Sequence, residues 1–160
     1  MKIIIVGKGA AGKDFLKKRF LDRGFKQSIS YTTRPLRPTE RNGVDYHFIT
    51  EAEFEEMIKM KEFREWNVFG DSKWYYGTTL REFKASSLFV MTPSGVRSLT
   101  ADERAECFVI YLDIEEDVRL KRLKDRYGID DPETERRLNT DRRDFEDFKD
   151  FDLRITNPDW

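Results

Sequence analysis

Residues 3–14 read Ile-Ile-Ile-Val-Gly-Lys-Gly-Ala-Ala-Gly-Lys-Asp, and this stretch decides the fold. Four β-branched residues in a row, Ile3, Ile4, Ile5 and Val6, predict a strand buried on both faces, as in a parallel sheet. Gly7 opens a loop that closes with Gly12 and Lys13. Residues 14–23 carry Leu16 and Phe20 at helical spacing, with Phe15 and Leu21 beside them, and Gly24 stands where a helix end calls for a left-handed residue. Strand, glycine-rich loop and helix in that order make a phosphate-binding loop. The backbone N–H groups of Gly7, Lys8, Gly9, Ala10, Ala11 and Gly12, with the helix N-terminus, cradle a polyphosphate, and Lys13 reaches its β and γ oxygens. The pattern G-x-x-x-x-G-K-[ST] is matched except at its last place, where Asp14 replaces the hydroxyl residue that binds magnesium.

At 160 residues the chain is expected to form one domain with a substantial core. With 30 basic and 31 acidic residues the net charge is −1, which argues against a general nucleic-acid surface, so any basic site must be local. The single Cys107 lies in an apolar run, has no internal disulfide partner, and fits a reducing, cytoplasmic setting. No apolar run approaches a membrane span and no signal peptide is seen, so no membrane partner is expected.

The next informative stretch is Ser-Ile-Ser-Tyr-Thr-Thr-Arg-Pro-Leu-Arg-Pro-Thr-Glu-Arg-Asn-Gly-Val-Asp-Tyr-His-Phe at 28–48, preceded by a short strand predicted over 26–30. Pro35 and Pro38 forbid a regular helix, and Asn42-Gly43 marks a tight turn. Arg34, Arg37 and Arg41 lie on this stiffened loop, where guanidinium forks suit a phosphate. Val44, Tyr46 and Phe48 alternate with polar residues as an antiparallel strand does. Thr50 and Glu53 form a capping box ahead of Phe54, Met57 and Ile58 on one helical face. Residues 62–69 and 74–78 are aromatic-rich strands joined by the polar turn 70–73. A small mixed sheet with one helix is therefore expected over 31–83.

The core resumes with a buried strand at 88–91 and a helix from about Ser94. A further strand at 108–112 leads to a helix that Asp113 and Glu116 can cap, with Val118 and Leu123 on it. Another helix starts at Pro132 and carries Leu138, Phe145 and Phe148 on one side. Residues 153–155 form a last strand. Strands alternating with helices behind a phosphate loop predict a three-layer α/β fold with a mostly parallel sheet.

These residues support a resemblance. The chain resembles guanylate kinase, a nucleoside monophosphate kinase family of the phosphate-loop class, along nearly its whole length. The stretch 28–48 carries it most specifically, and Phe63-Arg-Glu-Trp66 and Tyr75-Tyr-Gly-Thr78 agree. The resemblance implies a core of 1–30, 84–120 and 150–160, a nucleoside monophosphate-binding insert at 31–83 and a helical lid at 121–149. It implies that Arg34, Arg37, Tyr46 and Tyr76 hold the GMP phosphate and that Ser30, Glu65 and Thr78 read guanine, with Glu40 supporting the arginines. The chemistry agrees: a carboxylate accepts from guanine N1–H and N2–H₂ together, and a site built so rejects adenine. Lid arginines at Arg126 and Arg137 would reach the phosphates on closure, with Arg136, Arg142 and Arg143 as possible substitutes; a salt-bridged surface helix remains the other reading of each. Asn157 matches an asparagine near the adenine of ATP.

Three departures stand out. Asp14 replaces the loop hydroxyl. Val90 and Thr92 replace an acidic pair after the insert; Thr92 is placed with the GMP-binding residues there, and Asp14 and Thr92 are read as having exchanged ligand types around Mg²⁺, with Asp14 as the metal ligand. Family members also run on into a C-terminal helix, whereas this chain stops at Trp160, which is expected to pack back on the sheet or into a subunit contact. The implied activity is ATP-dependent phosphorylation of GMP, and of dGMP, by a monomer or small homo-oligomer with Mg²⁺. The rivals are a broader deoxynucleoside monophosphate kinase of viral type and a catalytically inactive binding module of scaffold proteins. The intact Gly7, Gly12 and Lys13 argue against the last.

Overall fold

The computed structural model describes residues 1–69, 73–127 and 132–159, without the side chains of residues 69, 126, 127, 132–134, 136 and 137. Along the chain come β1 (Lys2–Gly7), α1 (Lys13–Leu21), β2 (Tyr31–Thr32), β3 (His47–Phe48), α2 (Glu51–Lys59), β4 (Phe63–Phe69) and β5 (Trp74–Thr79). There follow α3 (Leu80–Ala85), β6 (Leu88–Val90), α4 (Pro93–Arg97), α5 (Ala101–Ala105), β7 (Cys107–Leu112), α6 (Glu116–Tyr127), α7 (Pro132–Phe145) and β8 (Leu153–Ile155). They divide into two compact units, Met1–Phe25 with Leu88–Trp160, and Lys26–Ser87.

The first unit is built on a parallel sheet of order β6-β1-β7-β8. The β-branched run places Ile3 and Ile5 on one face and Ile4 and Val6 on the other, all nearly inaccessible to water. Ile3 and Ile5 pack with Leu16 of α1 and with Leu88, Ile110, Leu112 and Ile114 in one cluster, which Phe20, Phe25 and Val118 extend. Tyr111 stacks on Phe145 of α7 at 5.6 Å and meets Phe148 edge-on at 5.3 Å. Helices thus cover both faces, which is the expected three-layer α/β arrangement. Gly24 adopts φ +85°, the left-handed conformation expected just past α1.

The second unit holds a four-stranded mixed sheet of order β3-β2-β5-β4. Its core is aromatic. Phe54 of α2, held by the Thr50–Glu53 capping box, stacks on Phe63 at 4.3 Å and lies 5.1 Å from Tyr75. Gly77 faces the Phe63 ring so closely that a Cβ there would come within 2.7 Å of it, which explains a glycine inside β5.

Several local expectations are corrected. Residues 26–30 hold only a single bridge residue, and the strand begins at Tyr31. The stretch around Val44 is a turn. Asp45 accepts from the Arg41 N–H at 2.8 Å, the Gly43 N–H reaches the Tyr46 carbonyl at 2.8 Å, and Gly43 has φ +75°. Local side-chain bonding of this kind competes with strand formation. Only His47 and Phe48 remain as β3, paired parallel to β2 rather than antiparallel. The second unit also has a second helix, α3, capped by Thr79. Asp113 does not cap α6; its carboxylate accepts from the Tyr111 hydroxyl at 2.8 Å and from Arg154 Nε at 2.9 Å. Turn residues 70–72 and Trp160 lie outside the described residues. Among the described residues no helix is long and apolar enough to cross a membrane.

Candidate functional site

The phosphate loop leaves β1 at Gly7, where the chain runs close against Leu112: an added Cβ would meet Leu112 at 3.1 Å. Ala10 takes a left-handed φ of +60° and Gly12 a φ of +101°. Both conformations turn successive peptides so that the loop can wrap an anion. Lys13, the first residue of α1, donates from Nζ to the carbonyls of Gly7 at 2.7 Å and Lys8 at 2.9 Å, which lays its ammonium across the loop. Lys8 lies 3.9 Å from Asp113 and over the Phe145 ring.

A cleft of about 430 Å³ opens beside this loop, lined by residues 10–15 together with Arg122, Asp125 and Pro158. Arg122 donates to the Ala10 carbonyl at 3.1 Å and to the Pro158 carbonyl at 3.2 Å, tying the loop to the C-terminal segment. Asn157 adjoins this lining, with Oδ1 accepting from the Asp159 N–H at 2.9 Å. Asp14 is 83% exposed by its side chain and pairs with Lys17 at 3.1 Å. Thr92 caps α4, its hydroxyl accepting from the Gly95 N–H at 3.1 Å and lying 2.8 Å from the Ser94 hydroxyl. Among the described residues no three His, Cys, Asp or Glu side chains gather into a metal cage.

In the second unit the prolines hold a guanidinium cluster. Arg34 is 5% exposed, and its fork meets Glu40 at 3.0 and 2.7 Å. Glu40 also accepts from the Arg37 N–H at 2.9 Å. Burial alone would raise the Glu40 carboxyl, but the hydrogen bonds from Arg34 and Arg37 and their charges hold it below the usual range. The Arg34 guanidinium lies over the rings of Tyr46, at 5.6 Å, and Phe48, at 5.4 Å, with Tyr76 beside it. Arg34, Arg37, Tyr46 and Tyr76 are therefore brought together, and Phe48 joins them as ring packing. The Arg37 side chain keeps 34% exposure, far more than Arg34.

Ser30, Glu65 and Thr78 form a second group. Glu65 on β4 pairs with Thr78 on β5. Its carboxylate faces the Thr78 hydroxyl and N–H, which favour the charged form, and the Ser30 hydroxyl lies 3.4 Å from that of Thr78. Burial pushes the Glu65 carboxyl above the usual glutamate range, against these Thr78 groups and the charge of Arg64.

The side chains of Arg126, Arg136 and Arg137 lie outside the described residues. Arg142 is held by Glu116 of α6, at 3.1 Å from Nε, and by Asn139 at 3.2 Å, so its fork is occupied by a surface ion pair. Two features of the loop were not singled out in the sequence. Arg122, and the pair Arg119–Asp141 described below, sit in a segment of ten basic and nine acidic residues over 119–149, where no spacing distinguishes one charge from another.

The family model described as Guanylate kinase matches residues 1–160. A guanylate kinase of Rickettsia bellii is 30% identical over 99% of this chain and 86% of its own length. One of Neisseria gonorrhoeae is 36% identical over 98% and 79%. In fold, the crystal structure of guanylate kinase from Anaplasma phagocytophilum superimposes with a TM-score of 0.70 at 18% identity, over 98% of this chain and 76% of that one. With a family model spanning every residue and relatives matched over nearly the whole chain, the protein belongs to the guanylate kinase family.

Proposed function

We propose that the protein transfers the γ-phosphoryl group of ATP to GMP, giving ADP and GDP. The observation that carries the choice of acceptor is the partly buried Glu65 carboxylate beside Thr78 and Ser30. An ionised carboxylate there accepts from both guanine N1–H and N2–H₂, and a neighbouring hydroxyl donates to O6. Adenine presents the opposite pattern and would leave these groups unpaired.

Such a transfer needs little covalent chemistry from the protein, which positions two anions and neutralises charge. Lys13 exchanges its bonds to the Gly7 and Lys8 carbonyls for the β and γ oxygens of ATP. Loop amides hold the same oxygens, apart from those of Gly9, which donates to Asp141 at 2.8 Å, and Ala11, which donates to the Lys8 carbonyl at 3.2 Å. Arg37, Tyr46 and Tyr76 take the GMP phosphate, and Arg34 joins them while Glu40 fixes its fork. Arg126 and Arg137 are the proposed lid contacts. The donor set fits magnesium, which binds through one or two carboxylates, nucleotide oxygens and water. Asp14, exposed at the cleft wall next to Lys13, would hold it, and the bound ion would neutralise charge on the transferring group. A cytoplasmic setting suits the buried, unpaired Cys107 thiol.

A panel of GMP, dGMP, AMP, dTMP and CMP with ATP and magnesium tests the assignment. Turnover is expected with GMP and dGMP only. Equal turnover of AMP or dTMP would point to the broader deoxynucleotide kinase, and none with any acceptor to a binding module.

Base recognition gives a sharper expectation. Glu65→Gln should weaken GMP binding by about 1–3 kcal/mol, because an amide N–H₂ then faces guanine donors. The raised Glu65 pKa also sets a direction with pH. The protonated carboxyl cannot accept both guanine bonds, so GMP affinity falls as pH drops, beginning at higher pH than for an ordinary glutamate. The GMP phosphate itself titrates near roughly pH 6. The contrast is therefore between parent and Glu65→Gln titrated side by side by calorimetry. The variant should keep the phosphate component and lose the rest; identical pH profiles would remove Glu65 from the guanine site.

A further inference from the structure

Gly9 is held at both of its backbone polar groups by one ion pair. Its N–H donates to Asp141 Oδ2 at 2.8 Å, and its carbonyl accepts from Arg119 Nη1 at 3.2 Å. The same Nη1 donates to the same Oδ2 at 3.1 Å, closing a triangle. Arg119 is 1% exposed and Asp141 8%, and Arg119 Nε is anchored on the Ile114 carbonyl at 3.0 Å. A Cβ on residue 9 would press on Asp141 Oδ2 at 3.2 Å, so the glycine lets the carboxylate approach.

Stability alone does not account for this arrangement. Taking two ions out of water costs several kcal/mol each, and an apolar pair of similar volume is often as stable or more so. What the ion pair adds is direction. In a trans peptide the C=O and N–H point opposite ways. Holding the Gly9 carbonyl against Arg119 therefore turns the Ala10 N–H away from it. Ala10 lines the cleft, and its left-handed φ of +60° is a conformation that persists only where surroundings enforce it. Glycine at position 9 has no preference of its own to set that peptide.

We propose that Arg119 and Asp141 are positioning residues for the phosphate loop: their buried ion pair fixes the Gly9–Ala10 peptide so that the loop meets the polyphosphate of the donor nucleotide with N–H groups rather than carbonyls. Neither residue touches the nucleotide. The assignment rests on the loop being the ATP site.

The test is Arg119→Leu/Asp141→Ala, which removes both charges together and strands neither. Its melting temperature should equal or exceed that of the parent. Calorimetric titration with a non-hydrolysable ATP analogue and magnesium should show affinity reduced by about tenfold or more, while GMP binding to the same protein is unchanged. In turnover, KM for ATP should rise with KM for GMP unmoved. A role confined to joining α6 and α7 would leave analogue affinity as in the parent once folding is retained, and that result would overturn the proposal. Should the double variant fail to fold, Asp141→Asn decides. It keeps the shape and one oxygen for the Gly9 N–H but not the counter-charge, and it should weaken the analogue and not GMP; unchanged analogue affinity would overturn the proposal. Failure of the parent to bind the analogue would remove the ATP assignment and this one with it. Normal binding by both parent and variants would remove this one alone.

Discussion

Replacing Lys13 by alanine is expected to lower kcat by about 10²–10³-fold without loss of cooperative unfolding. Lys13 contributes two hydrogen bonds to loop carbonyls in the free protein, at 2.7 and 2.9 Å, in a part-buried position. Water can replace those bonds, so the folded state loses little. In the reacting complex the ammonium has no substitute, because charge shifts onto the oxygen bridging the β and γ phosphorus atoms as its bond to the γ phosphorus breaks. Removing an interaction that strengthens in the transition state lowers kcat and kcat/KM together. Steady-state rates over a range of ATP concentrations, with thermal unfolding of both proteins, check this. A variant with near-normal kcat would exclude Lys13 from the chemistry.

The second large effect separates two arginines that look alike in the sequence. Arg37→Ala should reduce kcat/KM for GMP by the loss of charge-assisted hydrogen bonds, about 1.5–3 kcal/mol or roughly 10–150-fold, with the fold intact. Its guanidinium lies 4.0 Å from Glu40 and retains substantial exposure. Arg34→Ala should behave differently. Its fork closes on Glu40 at 5% exposure, and removing it leaves a largely buried carboxylate with only the Arg37 partner. Breaking such a pair costs about 3–5 kcal/mol. The expected readout is therefore a lower melting temperature for Arg34→Ala and an unchanged one for Arg37→Ala. Equal thermal losses would mean that both arginines are structural.

The parts of the molecule written in local pattern were readable beforehand. A run of β-branched residues admits one buried parallel strand, and Gly7, Gly12 and Lys13 admit one kind of loop after it. The Thr50–Glu53 capping box carries its own stop-and-start signal, and so does the Thr100–Glu103 box of α5. Where side chains bond to nearby backbone, alternation misled: Val44, Tyr46 and Phe48 alternate as in a strand, yet Asp45 closes a turn through Arg41. The guanine-facing group was legible only by resemblance, since Ser30, Glu65 and Thr78 are distant in sequence. The Arg119–Asp141 pair had no signal at all. Its members lie 22 positions apart, on two helices that each carry many other charges.

Phosphorus-31 NMR of the protein mixed with ATP, magnesium and GMP tests the proposed transfer most directly, because it sees where the phosphoryl group goes. The expected course is loss of the GMP resonance and of the ATP γ resonance together, with the two resonances of GDP and those of ADP growing in step and no inorganic phosphate. Inorganic phosphate appearing while GMP persists would show transfer to water instead, and a spectrum that does not change would contradict a kinase altogether.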